Sequence, residues 1–137
     1  MGEFKIMGET WQNNVMDEGV KKLMRILGDR DEENINLVKI SVGLSDASPE
    51  DKTKTELVDE VGEKYDTDDG TVSVNSPYSL ELTAEIPDDE ITRPATIKEI
   101  GIWFGDDTLF ARAVNSDGKE LGVGEAVTIT YDLVIPL

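Results

Sequence analysis

The stretch at 97–115, IKEIGIWFGDDTLFARAVN, decides how this chain is read. Two apolar runs flank Gly105-Asp106-Asp107-Thr108, residues suited to reversing the backbone. Ile100, Ile102 and Phe104 alternate with Gly101 and Trp103, the period of two that a strand with one buried face requires. The stretch therefore predicts a β-hairpin with an acidic turn, whose inward face supplies core. Strict alternation sets Trp103 on the face opposite Ile102 and Phe104. Either a helix or second sheet covers it, or it anchors a subunit contact, where Trp is enriched. Trp11 carries the same two readings.

Working outward, the same period recurs. Val38, Ile40, Val42 and Leu44 share one face of INLVKISVGL, and Leu80, Leu82, Ala84 and Ile86 share one face of SLELTAEI. Val127, Ile129, Tyr131, Leu133 and Ile135 do so in the last apolar segment, where the strand from Val127 to Leu137 either inserts into its own sheet or pairs with a neighbour. The weaker segments ELVDEV, TVSV and TLFARAV bring the number of strands to about seven. Turn clusters SDASPED, DTDDG, PDDE, GDD and NSDG lie between them.

Upstream, Val15, Met16, Val20, Leu23, Met24 and Leu27 form one broad helical stripe. Asn13 or Asn14 is placed to cap its start, Asp17 and Glu18 fall in its first turn, Lys21, Lys22 and Arg25 lie toward its end, and Gly28 stands where a left-handed residue would stop it. The expected architecture is a single mainly β domain over 1–137. It consists of a helix at about 14–27 packed against an antiparallel β-sandwich of about seven strands at about 35–137.

Composition removes most chemistry. A chain of 137 residues suits one core, and with no Cys and no His it lacks disulfides, thiolate zinc sites, a Cys nucleophile and an imidazole base. No Ser stands in a G-x-S-x-G elbow, and GVGEAV at 122–127 precedes a strand rather than opening a helix, so it is no phosphate cradle. The chain is expected to be non-enzymatic. Its net charge of −17 opposes nucleic acid and anionic membrane as partners, and no apolar run is long enough to span a bilayer. The opening Met-Gly-Glu-Phe-Lys-Ile-Met-Gly lacks the pattern of a secretory signal. The acidity is read as a soluble surface or as adaptation to high salt. The nine lysines favour the former.

One acidic cluster invites a cation. Asp66, Asp68 and Asp69 in DTDDG are weak candidates for calcium ligands, the one cofactor considered. Glycine falls at the fifth rather than the sixth position, however, and Pro77 takes the place of the bidentate Glu at the twelfth. Asp88-Asp89-Glu90 and Asp106-Asp107 would contribute only if folding brought them together.

The segments also occur in a telling order. NNVMDEGVKKLMRIL is followed by LVKISVGLSDASPEDKTKTELVDEV, then by IKEIGIWFGDDTLFARAV and finally by VTITYDLVI. This series resembles a module of tailed-phage tail fibres and baseplate-associated proteins, most closely at Glu99-Ile100-Gly101 and from Thr108 to Arg112. Leu44 departs from it, standing where a second glycine is common. The resemblance implies a non-enzymatic virion structural protein of a tailed virus or prophage, of tail fibre, baseplate or tail-adaptor type. It further implies synthesis in the host cytoplasm, assembly as a homo-oligomer, with a trimer expected, and docking on other virion proteins at the tail or capsid surface. A capsid decoration or turret protein is the alternative within that class. Trp11, Trp103, Phe104 and Tyr131 are the aromatic residues expected at interfaces. A reading from another class is a cellular carbohydrate- or cation-binding module that stacks sugars on Trp11, Trp103 or Tyr78.

Overall fold

Alternating apolar residues and Asp- or Gly-bearing turns build nine strands and one helix among the described residues, which in the computed structural model are 2–75 and 77–135. In chain order these are β1 (Gly2–Ile6), β2 (Glu9–Val15), α1 (Asp17–Gly28), β3 (Leu37–Gly43), β4 (Glu60–Asp66), β5 (Thr71–Ser73), β6 (Tyr78–Ile86), β7 (Ala95–Phe104), β8 (Leu109–Leu121) and β9 (Val127–Ile135). Every pairing is antiparallel, in the order β4-β3-β7-β8-β2-β1-β9-β6-β5. The sheet curls into a half-barrel, and just beyond β4 a bridge between Thr67 and Ala84 brings that end of the sheet onto β6.

The expectation of a mainly β chain with one helix holds, but the expected sandwich of about seven strands does not. One continuous sheet takes its place, and two of its nine strands lie where the sequence showed only the approach to a helix. Met7 and Gly8 both adopt positive φ, 49° and 81°, closing a two-residue hairpin between β1 and β2. Asn13, Asn14 and Val15 pair with Ala113, Arg112 and Ala111, so none of them caps the helix. The helix starts at Asp17 instead, after Met16, and it ends without a left-handed glycine. Gly28 is its last residue, and the Asp29 N–H donates to the Arg25 carbonyl at 2.7 Å. The NSDG cluster is also no reversal: it is a bulge inside β8, where the Asn115 side chain accepts from the Asp117 N–H at 3.0 Å.

Inside the curl, Phe4, Phe104, Phe110 and Tyr131 pack with the inward aliphatic residues of β3, β6, β7 and β9. Phe4 and Tyr131 approach to 4.7 Å between ring centroids, and Phe104 meets Phe110 edge-on at 5.7 Å. The outer face of the β7–β8 hairpin is also dry. Trp103 and Leu109 are buried there with Met16 and Leu57. Leu57 belongs to the loop between β3 and β4, so that loop covers the face for which the sequence suggested a second sheet.

The helix carries the expected apolar stripe but is rotated away from it. At 100° per residue, Gly19, Lys22 and Ile26 form one face, while Leu23, Leu27, Val20 and Met24 follow in that order around the cylinder. Gly19 and Lys22 are buried, whereas Met24 and Leu27 are 68% and 81% exposed. Gly19 explains the rotation: a Cβ there would lie 2.5 Å from the Phe110 carbonyl oxygen, so glycine alone allows this approach of helix to β8.

Candidate functional site

The molecule's most buried polar chemistry lies under the loop at 44–59, on the outer face of the β7–β8 hairpin. Register sets Gly101 opposite Arg112, which makes Glu99 and Arg112 diagonal neighbours on one face. Both are essentially inaccessible, and the Arg112 Nε donates to Glu99 Oε1 at 3.0 Å. The carboxylate also accepts from the N–H groups of Val58 and Asp59, at 2.9 and 2.8 Å, and from Ser45 at 3.4 Å. Arg112 donates to the carbonyls of Ser48 and Ala47 at 3.0 and 2.8 Å. Two further bonds tie down the outer part of the loop, from Asn14 Nδ2 to the Pro49 carbonyl at 2.9 Å and from the Asp17 N–H to the Lys52 carbonyl at 2.9 Å.

A buried pair of this kind is costly to desolvate and contributes only if its remaining hydrogen-bonding capacity is met. Here the loop backbone meets it, so the pair fixes the shape of a long irregular segment. Every polar atom of the two side chains has a hydrogen-bond partner, and, being inaccessible, the pair presents nothing to a substrate.

A second buried charge links the helix to the hairpin turn. Lys22 Nζ donates to Glu32 Oε1 at 2.7 Å, to Asp106 Oδ2 at 3.2 Å and to the Glu33 carbonyl, with its ammonium 5.7 Å from the Phe104 ring centroid. The hydrogen bond to Glu32 raises the lysine pKa above its usual value against the opposing effect of burial. Burial would raise the Asp106 pKa, but hydrogen bonds from Thr108 and Lys22 outweigh it and the net shift is downward.

The aromatic residues expected at interfaces are all buried: Trp11, Trp103, Phe104 and Tyr131 are at most 3% exposed. Trp103 is covered by Leu57 and Met16, and its indole N–H donates to Ser41 Oγ at 2.8 Å while Lys64 Nζ lies 4.3 Å from its ring centroid. Burial pushes the Tyr131 hydroxyl well above its ordinary pKa, and Asn13 Nδ2 donates to it at 3.0 Å. Of the three aromatic residues expected to stack on a sugar, only Tyr78 is exposed.

The acidic loop after β4 does not gather a cation site. Asp66 pairs with Lys39 at 3.3 Å, Asp68 Oδ1 accepts the Thr83 N–H at 2.8 Å, and Asp69 faces solvent. Among the described residues no three carboxylates converge as metal ligands, and Asp88-Asp89-Glu90 and Asp106-Asp107 do not join them.

Two open cavities flank the core. One of about 600 Å³ lies among Val42, Val61, Tyr65, Ile86, Ile91 and Ile97, where burial raises the pKa of the Tyr65 hydroxyl and Glu90 Oε2 accepts from it at 3.4 Å. The other, of about 400 Å³, lies between α1 and the β5–β6 end of the sheet. Sequence reasoning missed Glu99, Arg112 and Lys22 as buried groups. The diagonal placement of Glu99 and Arg112 across a hairpin was the signal that could have found the first two. Comparison with protein-family models, characterised proteins and solved structures finds no match to this chain.

Proposed function

We propose that the chain is a non-enzymatic structural subunit of a tailed virus or prophage, of tail fibre, baseplate or tail-adaptor type, which self-associates, as a trimer in the simplest case, and docks on other virion proteins. The observation that carries this reading is the Glu99–Arg112 pair. It joins the two short segments on which the resemblance to tail-fibre and baseplate modules is strongest, and its remaining hydrogen bonds go to the backbone of a surface loop. A fold that places buried charges under a loop suits rigid presentation of a surface in a symmetric assembly.

Immunogold electron microscopy of particles from the source culture, with an antibody against this domain, tests the reading. Label at the tail or its tip is the expected result. Label confined to the capsid would move the assignment to a decoration or turret protein. Absence of label from every particle would overturn the virion assignment in favour of a cellular binding module, and a strict monomer in both low and high salt would remove self-association.

A further inference from the structure

The cavity between α1 and the β5–β6 end of the sheet is an apolar groove. Leu23 and Ile26 of α1 form one wall, Leu80 and Leu133 line the other side, and Phe104 and Phe110 of the core lie between. The apolar surface does not stop at its lip. Around the helix, Leu23 is followed by Leu27, Val20 and Met24, which are 81%, 43% and 68% exposed, and Ile35 in the groove lining is 53% exposed. Contiguous exposed apolar surface rimmed by charge marks a contact site rather than ordinary solvent-facing structure.

The rim gives the sign of the partner. Asp68 and Asp69 line the groove, and no Lys or Arg does among the described residues. Neither carboxylate has an ion-pair partner among the described residues. A second copy of the chain, itself at −17, would bring like charge to this rim.

We propose that this groove and the outer stripe of α1 dock a cationic amphipathic helix of a partner protein, its apolar face lying along Leu23, Leu27 and Met24 and its Lys or Arg residues facing the acidic rim. Helix-in-groove recognition uses apolar anchors at three- and four-residue spacing, which the Val20-Met24-Leu27 stripe matches from its own side. The proposal deepens the virion reading by giving the chemistry of one docking partner, and it rests on that reading only for the partner's biological source.

The test uses fluorescent model peptides on the full chain: an amphipathic Leu/Lys helix, a scrambled peptide of the same composition, and the Leu/Glu counterpart. The expected result is saturable one-to-one binding of the Leu/Lys helix, at least tenfold tighter than either control. Met24→Glu with Leu27→Glu, both at exposed positions, should weaken it at least tenfold without changing the circular dichroism spectrum. Asp69→Lys should weaken it severalfold at low salt and less at high salt. Equal binding of the scrambled peptide, or full binding by the double variant, would overturn the proposal, since general acidity would then explain the affinity. So would a wild-type oligomer that the double variant dissociates, because a second copy would then fill the groove. Gold labelling reads independently of this: a chain that labels virions but ignores the helix loses only the groove partner, and a chain that binds the helix but labels no particle loses only the virion role.

Discussion

Arg112 Nε stands 3.0 Å from Glu99 Oε1 with both side chains sealed from solvent, and together they hold backbone groups of the loop at five points, Ser45, Ala47, Ser48, Val58 and Asp59. Removing one partner leaves the other charge buried and unpaired. Arg112→Ala is expected to lower the unfolding free energy by about 3–5 kcal/mol in urea titrations. Glu99→Leu combined with Arg112→Met should recover much of that loss, while the loop at 44–59 stays open to limited proteolysis. Recovery of protease resistance in the double variant would show that the loop holds its shape without the pair.

Gly19→Ala tests the approach of α1 to β8. In a free helix the change stabilises by up to about 1 kcal/mol. Here the added methyl meets the Phe110 backbone, so a net destabilisation of about 1–3 kcal/mol is expected. A rise in melting temperature would mean that the helix can shift at no cost.

Trp103→Phe and Ser41→Ala probe the dry outer face of the hairpin. Loss of the Ser41 hydroxyl leaves the indole N–H buried without its acceptor, at a cost of about 1–3 kcal/mol. Because both Trp11 and Trp103 are buried, wild-type tryptophan emission should be blue-shifted and resistant to iodide quenching. Ready quenching would contradict burial of both rings.

The Lys22 ion pairs set limits on pH stability at both ends. The Lys22 pKa is raised in the folded chain, so its contribution is complete below the unfolded value near 10.5 and fades as pH rises through the folded value. Tyr65 and Tyr131 act in the same direction: burial keeps them protonated while the unfolded chain ionises near pH 10, so stability falls as pH rises above that point. The Asp106 pKa is lowered, so its share is complete above the unfolded value near 3.8 and fades as pH falls through the folded value. Melting temperature should therefore fall from pH 9.5 to 11.5, as checked by differential scanning calorimetry. Lys22→Met should flatten part of that decline, and an unchanged slope would remove Lys22 from the account.

Particular residues show how much of this was legible in the sequence. The β7–β8 hairpin, β3, β6 and β9 follow from alternation, because Ile100 and Ile102, Val42, Leu82 and Ile129 need a buried face and only a period of two provides one. The β1–β2 hairpin was illegible because its turn is Met7-Gly8, without the Asn or Asp that usually marks positive φ, and because Asn13 and Asn14 look like caps when they are strand residues. The helix was legible as a helix, but its orientation was not. Hydrophobicity ranks Met24 and Leu27 above Gly19 and Lys22, whereas close packing favoured the glycine and ion pairing buried the lysine. The groove was invisible for the same reason, since a stripe read as wholly buried leaves no exposed half. Trp103 was placed on the correct face, yet no local pattern tells a loop cover from a sheet cover.

The seam between β1 and β9 has a consequence for how the molecule is made. It pairs Phe4 with Tyr131 and adds an ion pair between Lys5 and Asp132 at 2.9 Å, joining residues that almost the whole described chain separates. Before it closes, the strands β4-β3-β7-β8-β2-β1 and β9-β6-β5 are two partial sheets, each with an unsatisfied edge in the middle of what will become one surface. Closure of so long a loop yields little until it is complete, so folding should be slow for a chain of this size, on the order of milliseconds to seconds. During that interval β1 and β9 are templates for any complementary strand nearby, including those of sister chains. Yield of native protein should therefore depend on how dilute the chain is while it folds, and domain-swapped pairs exchanging β9 are the expected by-product of crowded refolding.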